Sequence, residues 1–332
     1  MADARHDVIG IGNAIVDIIG RCDESYLTEI GAAKGSMRLV EAGDVQKIYQ
    51  TMGPAVEISG GSGANTIAGV ASFGGRAAYI GTIADDEFGR IFSHDIRSLG
   101  VTYESQPIAN GAPTSRSLIL VTPDGERTMN TFLGISTDLD ETHLNLDLIR
   151  ESAILYLEGY LFDRPQAQKA FRLALDTAKK AGRKVSLTLS DGFCVDRHRG
   201  EFLELIRSGI DILFANESEI KSLYQTESFD LAAKQASSDI PLAVLTRSAK
   251  GSIILADNKS VEISADPIEQ VVDTTGAGDL YAAGFLFGYA RGLSLETSGQ
   301  LASLAAAEII GHLGARPEVP LAELARQRRL IP

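Results

Sequence analysis

Residues 273–279 read Asp-Thr-Thr-Gly-Ala-Gly-Asp and run straight into an apolar segment, 280–289. Small residues at 276–278 let a ligand come close to the main chain. A helix opening there aims bare N–H groups and the positive end of its dipole at that ligand, which makes a seat for a transferring phosphoryl group. Gly276, Ala277 and Gly278 supply the seat. Asp279 falls in the first turn beside it, where a carboxylate can take the proton of an attacking hydroxyl. On spacing alone, a glycine-rich turn with Asp279 as a helix-capping acid fits equally well.

Three further clusters carry polar chemistry. Gly60-Gly61-Ser62-Gly63-Ala64-Asn65 follows a strand-like piece (56–59) and opens a helix that runs to about Phe73. Its glycines admit a polyol to the backbone, and Asn65 offers both donor and acceptor. The plain alternative is a strand-to-helix turn capped by Ser62. Asn216-Glu217-Ser218-Glu219 follows the apolar run 210–214, at a strand's carboxyl end, where open α/β sheets bind ligands. Asn216 and Glu219 share one helix face and suit a hydrated Mg²⁺ held through water; a capping box fits the same pattern. Finally, Gly10-x-Gly12 precedes Asn13 and Asp17. Ile15 stands where a dinucleotide fingerprint needs its third glycine, which counts against a nicotinamide dehydrogenase. Asn13 and Asp17 instead suit sugar hydroxyls, or Asp17 is a solvated strand-end acid.

No Gly-x4-Gly-Lys-Ser/Thr loop is present, so any phosphate chemistry is not that of a P-loop kinase. His6, His94, His143, His198 and His312 show no metal-ligand spacing.

These clusters need a scaffold. Apolar runs at 8–11, 77–80, 154–157, 185–189, 210–214 and 242–245 alternate with amphipathic stretches such as 166–181 and 197–207. The alternation predicts an α/β fold, a doubly wound, mostly parallel sheet covered on both faces. Two regions break it: 16–41, and 113–133 with its Asp124-Gly125 hairpin signal between strand-like halves. They are expected to meet as a small β-lid. The division is then 1–15, 42–112 and 134–332 for the large nucleotide-binding and catalytic domain, and 16–41 with 113–133 for the lid.

Bulk properties narrow the partners. The 332 residues carry a formal net charge of −13, which disfavours nucleic acid. Cys22 and Cys194 have no metal or disulfide-framework spacing and read as free thiols of a reducing cytosol. The N-terminus lacks a leader pattern, and no uninterrupted apolar run is long enough for a membrane span. A cytoplasmic enzyme with a small-molecule substrate is expected.

Taken together, the clusters resemble the PfkB (ribokinase-like) family of carbohydrate and nucleoside kinases, from Asp7 to about Pro317. GGSGAN is similar to its N-terminal signature and DTTGAGDLYAAGFL to its C-terminal one. The resemblance implies Asp279 as base and the 276–278 amides as anion hole. It implies Asn216 and Glu219 organising Mg²⁺ and phosphates, with ATP over Thr246, Arg247, Ser248 and Gly251. It also implies a monovalent cation, such as K⁺, near Asp273 and the Thr275 carbonyl. Within the family, IGNAIVDI, LYLEGYLF, LTLSDGF and DILFANESE are most similar to adenosine kinases. That implies ATP-dependent phosphorylation of a purine nucleoside 5′-hydroxyl, with ribose held by Asn13, Asp17, Gly61, Ser62 and Asn65. Tyr160 would stack on the purine. Arg127 would reach the phosphates on lid closure, or stand as a solvated arginine. Thr275, a residue found in sugar kinases, keeps a free sugar or sugar acid open as the acceptor. A nucleotide sensor without catalysis is the further alternative. The resemblance accommodates a monomer or a homodimer.

Overall fold

The structure is a computed structural model describing residues 4–257 and 259–332. Residues 1–3, with which the expected large domain begins, lie outside the described residues.

In chain order the strands begin with β1 (His6–Ile11), β2 (Ile15–Arg21), β3 (Met37–Leu39), β4 (Ala55–Gly60) and β5 (Ala77–Ile80). Then come β6 (Thr102–Tyr103), β7 (Ser115–Val121), β8 (Arg127–Phe132), β9 (Ser152–Glu158) and β10 (Lys184–Thr188). The last four are β11 (Ile212–Asn216), β12 (Leu242–Thr246), β13 (Ser252–Ala256) and β14 (Lys259–Ile263). Among the described residues they form two sheets. The larger runs β14-β13-β12-β11-β10-β9-β1-β5-β6 and is parallel from β12 to β6, with β13 and β14 antiparallel at one edge. The smaller runs β3-β8-β7-β2-β4.

The large sheet is near-continuously apolar because helices cover both faces. Side chains alternate between faces with period two. Val8, Ile154, Tyr156, Phe214 and Val244 enter one buried cluster. Ile9, Ile11, Leu155, Leu157, Leu213 and Leu245 enter the other. Fully burying each such side chain stabilises the fold by about 1.5–3 kcal/mol. The sheet is therefore a rigid floor whose carboxyl edge is free for loops.

Two expectations need correction. The run at 210–214 is displaced: the strand is Ile212–Asn216. Asp211 is drawn out of the pattern because its carboxylate accepts from Lys179 Nζ (2.6 Å), Lys184 Nζ (3.0 Å) and the Val185 N–H (2.8 Å). The lid boundary at residue 41 also falls short. β4 pairs antiparallel with β2, with Val16 opposite Ser59 and Asp17 opposite Ile58, and so belongs to the small sheet. The helix Ala42–Thr51 packs on β7 and β8. Local periodicity marks 56–59 as a strand, but does not say which sheet receives it.

Candidate active site

β1, β9, β10, β11 and β12 all end on the same edge of the parallel sheet. Two glycine-led helices converge there. The helix Ser62–Ser72 follows Gly61, whose φ of +93° is left-handed. A Cβ at Gly61 would collide with the Asn13 carbonyl. The helix Ala277–Ala290 follows Gly276, at φ +79°. The two helices pack closely because Gly69 has no side chain; a Cβ there would lie 2.6 Å from Ala283 Cβ. This brings their N-termini together.

Asp279 sits where they meet. Its carboxylate accepts from Ser62 Oγ at 2.6 Å and from Asn65 Nδ2 at 3.0 Å. Burial pushes the Asp279 carboxyl above the usual aspartate range; the Ser62 and Asn65 hydrogen bonds and the Arg316 charge oppose that rise. The Asn65 amide thus orients the carboxylate through its nitrogen. Asn65 Oδ1 is buried without a hydrogen-bond partner among the described residues, and such an orphan acceptor calls for a donor from a ligand. Ser62 is the first residue of its helix and not its cap, so its hydroxyl is turned to the acid. The amides at 276–278 are unequal. Ala277 N–H donates to the Thr274 carbonyl at 3.2 Å. The N–H groups of Gly276, Gly278 and Asp279 find no main-chain acceptor among the described residues.

Asp17, on β2, is buried and its pKa is pushed up to about 6, chiefly by loss of water, with Arg316 and Arg127 pulling the other way. Its carboxylate has no hydrogen bond among the described residues, and it rests on Gly60, where a Cβ would clash. Asn13 differs from expectation. Its Nδ2 donates to Glu158 Oε1 at 2.6 Å and its Oδ1 accepts from Ser136 Oγ at 2.9 Å. Its amide is thus anchored to the protein at both ends.

Sequence reasoning passed over Glu158 and Arg316. Glu158 ends β9 and also accepts from the N–H groups of Gly63 (2.6 Å) and Asn13 (3.3 Å). It thereby joins the segment after β1 to the glycine-rich turn at 60–65. Burial pushes its pKa up to about 7 against those donors. A lone acid closing an apolar strand was the available signal. Arg316 Nη2 and Nε donate to the Ser59 carbonyl (2.6 and 3.0 Å) and Nη1 to the Ala64 carbonyl (2.8 Å). Nothing in its local spacing announces that role.

Asn216 and Glu219 form a complete capping box. Asn216 Oδ1 accepts from the Glu219 N–H (2.9 Å), and Glu219 accepts from the Asn216 N–H (3.0 Å) and Nδ2 (2.6 Å). Glu219 is buried, which pushes its pKa up to about 7. No three of His, Cys, Asp and Glu gather as a metal cluster among the described residues. Both Asn216 side-chain atoms are engaged in the cap, so the pair suits an ion held mainly by phosphate oxygens and water and not a protein cage. After β12, Arg247 donates from Nε to Glu217 Oε2 at 3.2 Å, and its guanidinium lies 4.1 Å from the Phe229 ring centroid. Thr246 pairs with Ser252, Ser248 takes φ +52°, and Gly251 at φ +79° leaves no room for a Cβ beside the Ile263 carbonyl. Tyr160 follows Glu158 by two residues and is 37% exposed, with its hydroxyl donating to the Ser190 carbonyl at 3.4 Å.

Arg127 is not the solvated arginine of one reading. It is buried, and its Nη1 pairs with Asp273 Oδ2. Asp273 Oδ1 also accepts from the Thr275 N–H (2.9 Å) and Oδ2 from the Gly314 N–H (3.2 Å). The carboxylate expected to face a monovalent cation is thus surrounded by donors.

Known proteins resemble the chain in sequence and fold. Residues 41–322 match the pattern of the pfkB family carbohydrate kinases. Among curated relatives, the probable fructokinase-6 (chloroplastic) of Arabidopsis thaliana is 30% identical over 71% of this chain and 63% of its own length. The ribokinase of Arabidopsis thaliana is 28% identical over 79% of this chain and 70% of its own length. Among solved structures, adenosine kinase from Sinorhizobium meliloti is 53% identical, with a TM-score of 0.91 over 98% of this chain and 100% of that one. A probable sugar kinase from Rhizobium etli CFN 42 is 48% identical, with a TM-score of 0.92 over 99% and 100%. Fold and site thus define a phosphotransferase that acts on a hydroxyl group of a small molecule. More specifically, the chain belongs to the pfkB family of carbohydrate kinases, whose activity implies ATP. No helix among the described residues is long and apolar enough to cross a membrane.

Proposed function

We propose that this kinase transfers the γ-phosphoryl group of ATP to the 5′-hydroxyl of a purine nucleoside, adenosine giving AMP. The observation that carries the reading is the Ser62–Asp279–Asn65 constellation at the convergence of two helix N-termini. Asp279, held by those two donors, takes the 5′-hydroxyl proton as the oxygen attacks phosphorus. The bare amides of Gly276, Gly278 and Asp279 face the negative charge on the group in flight. Asn65 Oδ1 and the Asp17 carboxylate accept from ribose hydroxyls, and Asn13 with Gly61 and Glu158 shapes the wall behind them. Tyr160 offers a flat face for the base. Bound Mg²⁺, near Glu219 and Asn216, would neutralise charge on the phosphates. The 53% identity to an adenosine kinase supports the nucleoside acceptor.

A free sugar is the second reading, favoured by Thr275 and by the fructokinase and ribokinase relatives. A coupled assay across adenosine, inosine, guanosine, cytidine, ribose and fructose separates the two. Turnover on ribose or fructose with none on adenosine would overturn the nucleoside assignment. Asp279→Asn should lower kcat about 10²- to 10⁴-fold while ATP binding, followed by calorimetry, persists. A variant with normal kcat would remove Asp279 from the mechanism.

A further inference from the structure

The resemblance leads one to expect a monovalent cation beside Asp273 and the Thr275 carbonyl, but the residues present do not fit one. A bound cation needs converging oxygen lone pairs. Here the Asp273 carboxylate is met by the Thr275 N–H at 2.9 Å, the Gly314 N–H at 3.2 Å and the Arg127 guanidinium. The Arg127 and Asp273 side chains are 7% and 5% exposed. A second positive charge against the same carboxylate would sit at contact range of the guanidinium in a poorly screened interior.

We infer that Arg127 is this protein's own cation: it takes the place of the monovalent ion at Asp273, so that phosphoryl transfer does not depend on potassium. The inference rests on the kinase reading above and deepens it. Arg127 opens β8 of the small sheet, whereas Asp273 belongs to the loop that leads into the Asp279 helix. That loop is laced to the end of the helix Leu295–Ile310 and to the segment after it. Val272 N–H donates to the Ile310 carbonyl at 2.8 Å, and Asp273 itself reaches Gly314. Asp273 also holds the Thr275 N–H, one residue before Gly276 of the anion seat. The guanidinium thus fixes a carboxylate that fixes the turn. Arg127 acts here as a positioning residue, through Asp273. Because the lid carries it, the turn is set by lid placement instead of by the ions in solution.

The test compares initial rates with and without KCl, at ionic strength matched by choline chloride. Potassium should change the kcat of the wild-type protein by less than about twofold. Arg127→Ala should lose on the order of 100-fold in kcat, the scale of a displaced catalytic turn, and regain activity on addition of KCl or guanidinium chloride. Arg127→Lys should remain insensitive to potassium. Rescue by a small cation is something a merely structural arginine would not show. Activation of the wild-type protein by about tenfold or more, or a rescue-resistant Arg127→Ala that is folded by circular dichroism, would overturn the inference. Thallium binding, read by ²⁰⁵Tl NMR on the wild-type protein with ATP, decides the matter independently of turnover. A bound thallium ion displaced by potassium refutes the inference, and no bound ion supports it. A failure of the kinase reading shows separately, as the absence of any phosphorylated acceptor.

Discussion

Ser62→Ala removes one of the two side-chain donors on Asp279 and nothing else of consequence. The lost bond is 2.6 Å long and ends on a carboxylate. Hydrogen bonds to charged groups contribute about 1.5–3 kcal/mol, equivalent to about 10- to 150-fold in the ionisation equilibrium of the acid. Ser62 favours the ionised form, so its loss moves Asp279 further in the direction burial already pushes it. A base works only when ionised. The acidic limb of kcat/KM against pH should therefore move to higher pH by about one to two pH units, while the plateau above it stays within about threefold. The assay is a coupled kinase assay from mildly acidic to mildly alkaline pH, with the coupling enzymes checked at each point. Asn65→Ala would confound the result, because it also removes the orphan acceptor. An unmoved limb with a plateau lowered about 100-fold would refute the reasoning, since Ser62 would then be acting on the substrate or the lid and not on the ionisation of Asp279.

Gly61→Ala should lower the melting temperature and sharply reduce activity, because φ +93° costs an alanine about 1–3 kcal/mol and its Cβ would strike the Asn13 carbonyl; an unchanged melting curve would contradict this. The ligand-free protein should lose stability as pH rises from about 4.5 to about 7. Glu158 has a folded pKa of about 7 against an ordinary 4.5, so the native state binds more protons across that window and stability falls through it, by up to about 3 kcal/mol for this group. Glu219 adds to the same fall. Glu158→Gln should flatten the melting temperature against pH relative to wild type, and parallel curves would show that Glu158 does not titrate there. Arg316→Ala should destabilise the protein, because two buried carbonyls, of Ser59 and Ala64, lose their donor; denaturant melts read this directly.

The fold was legible where the signal is local. Six apolar runs marked six parallel strands, and Asp124-Gly125 marked the hairpin, with Gly125 at φ +86°. The position of β4 was not legible, because its partner β2 lies far along the chain and pairing leaves no trace in either segment. The same limit hid Arg316, which bonds to residues more than 250 positions away. Glu158 was visible in principle, as the acid that stops the Ser152–Glu158 strand, but its three donors come from two distant turns. For Asp279, spacing left a helix cap and a base equally open. The Ser62 and Asn65 contacts, from across the fold, favour the base. For Asn216 and Glu219 the structure shows the capping box in full.

The small sheet is spliced into the chain at its narrowest points. β1 and β2 are separated by three residues, Gly12, Asn13 and Ala14, and β4 passes into its helix through Gly61 alone. The joints of the molecule are thus the same residues that are proposed to line the acceptor pocket. A family member with this layout cannot exchange its cap as a detachable cassette. A chimera grafted at the strand boundaries would need matched junctions as well as a matched cap, and a clumsy graft would announce itself first as lost affinity for the acceptor, well before the protein failed to fold.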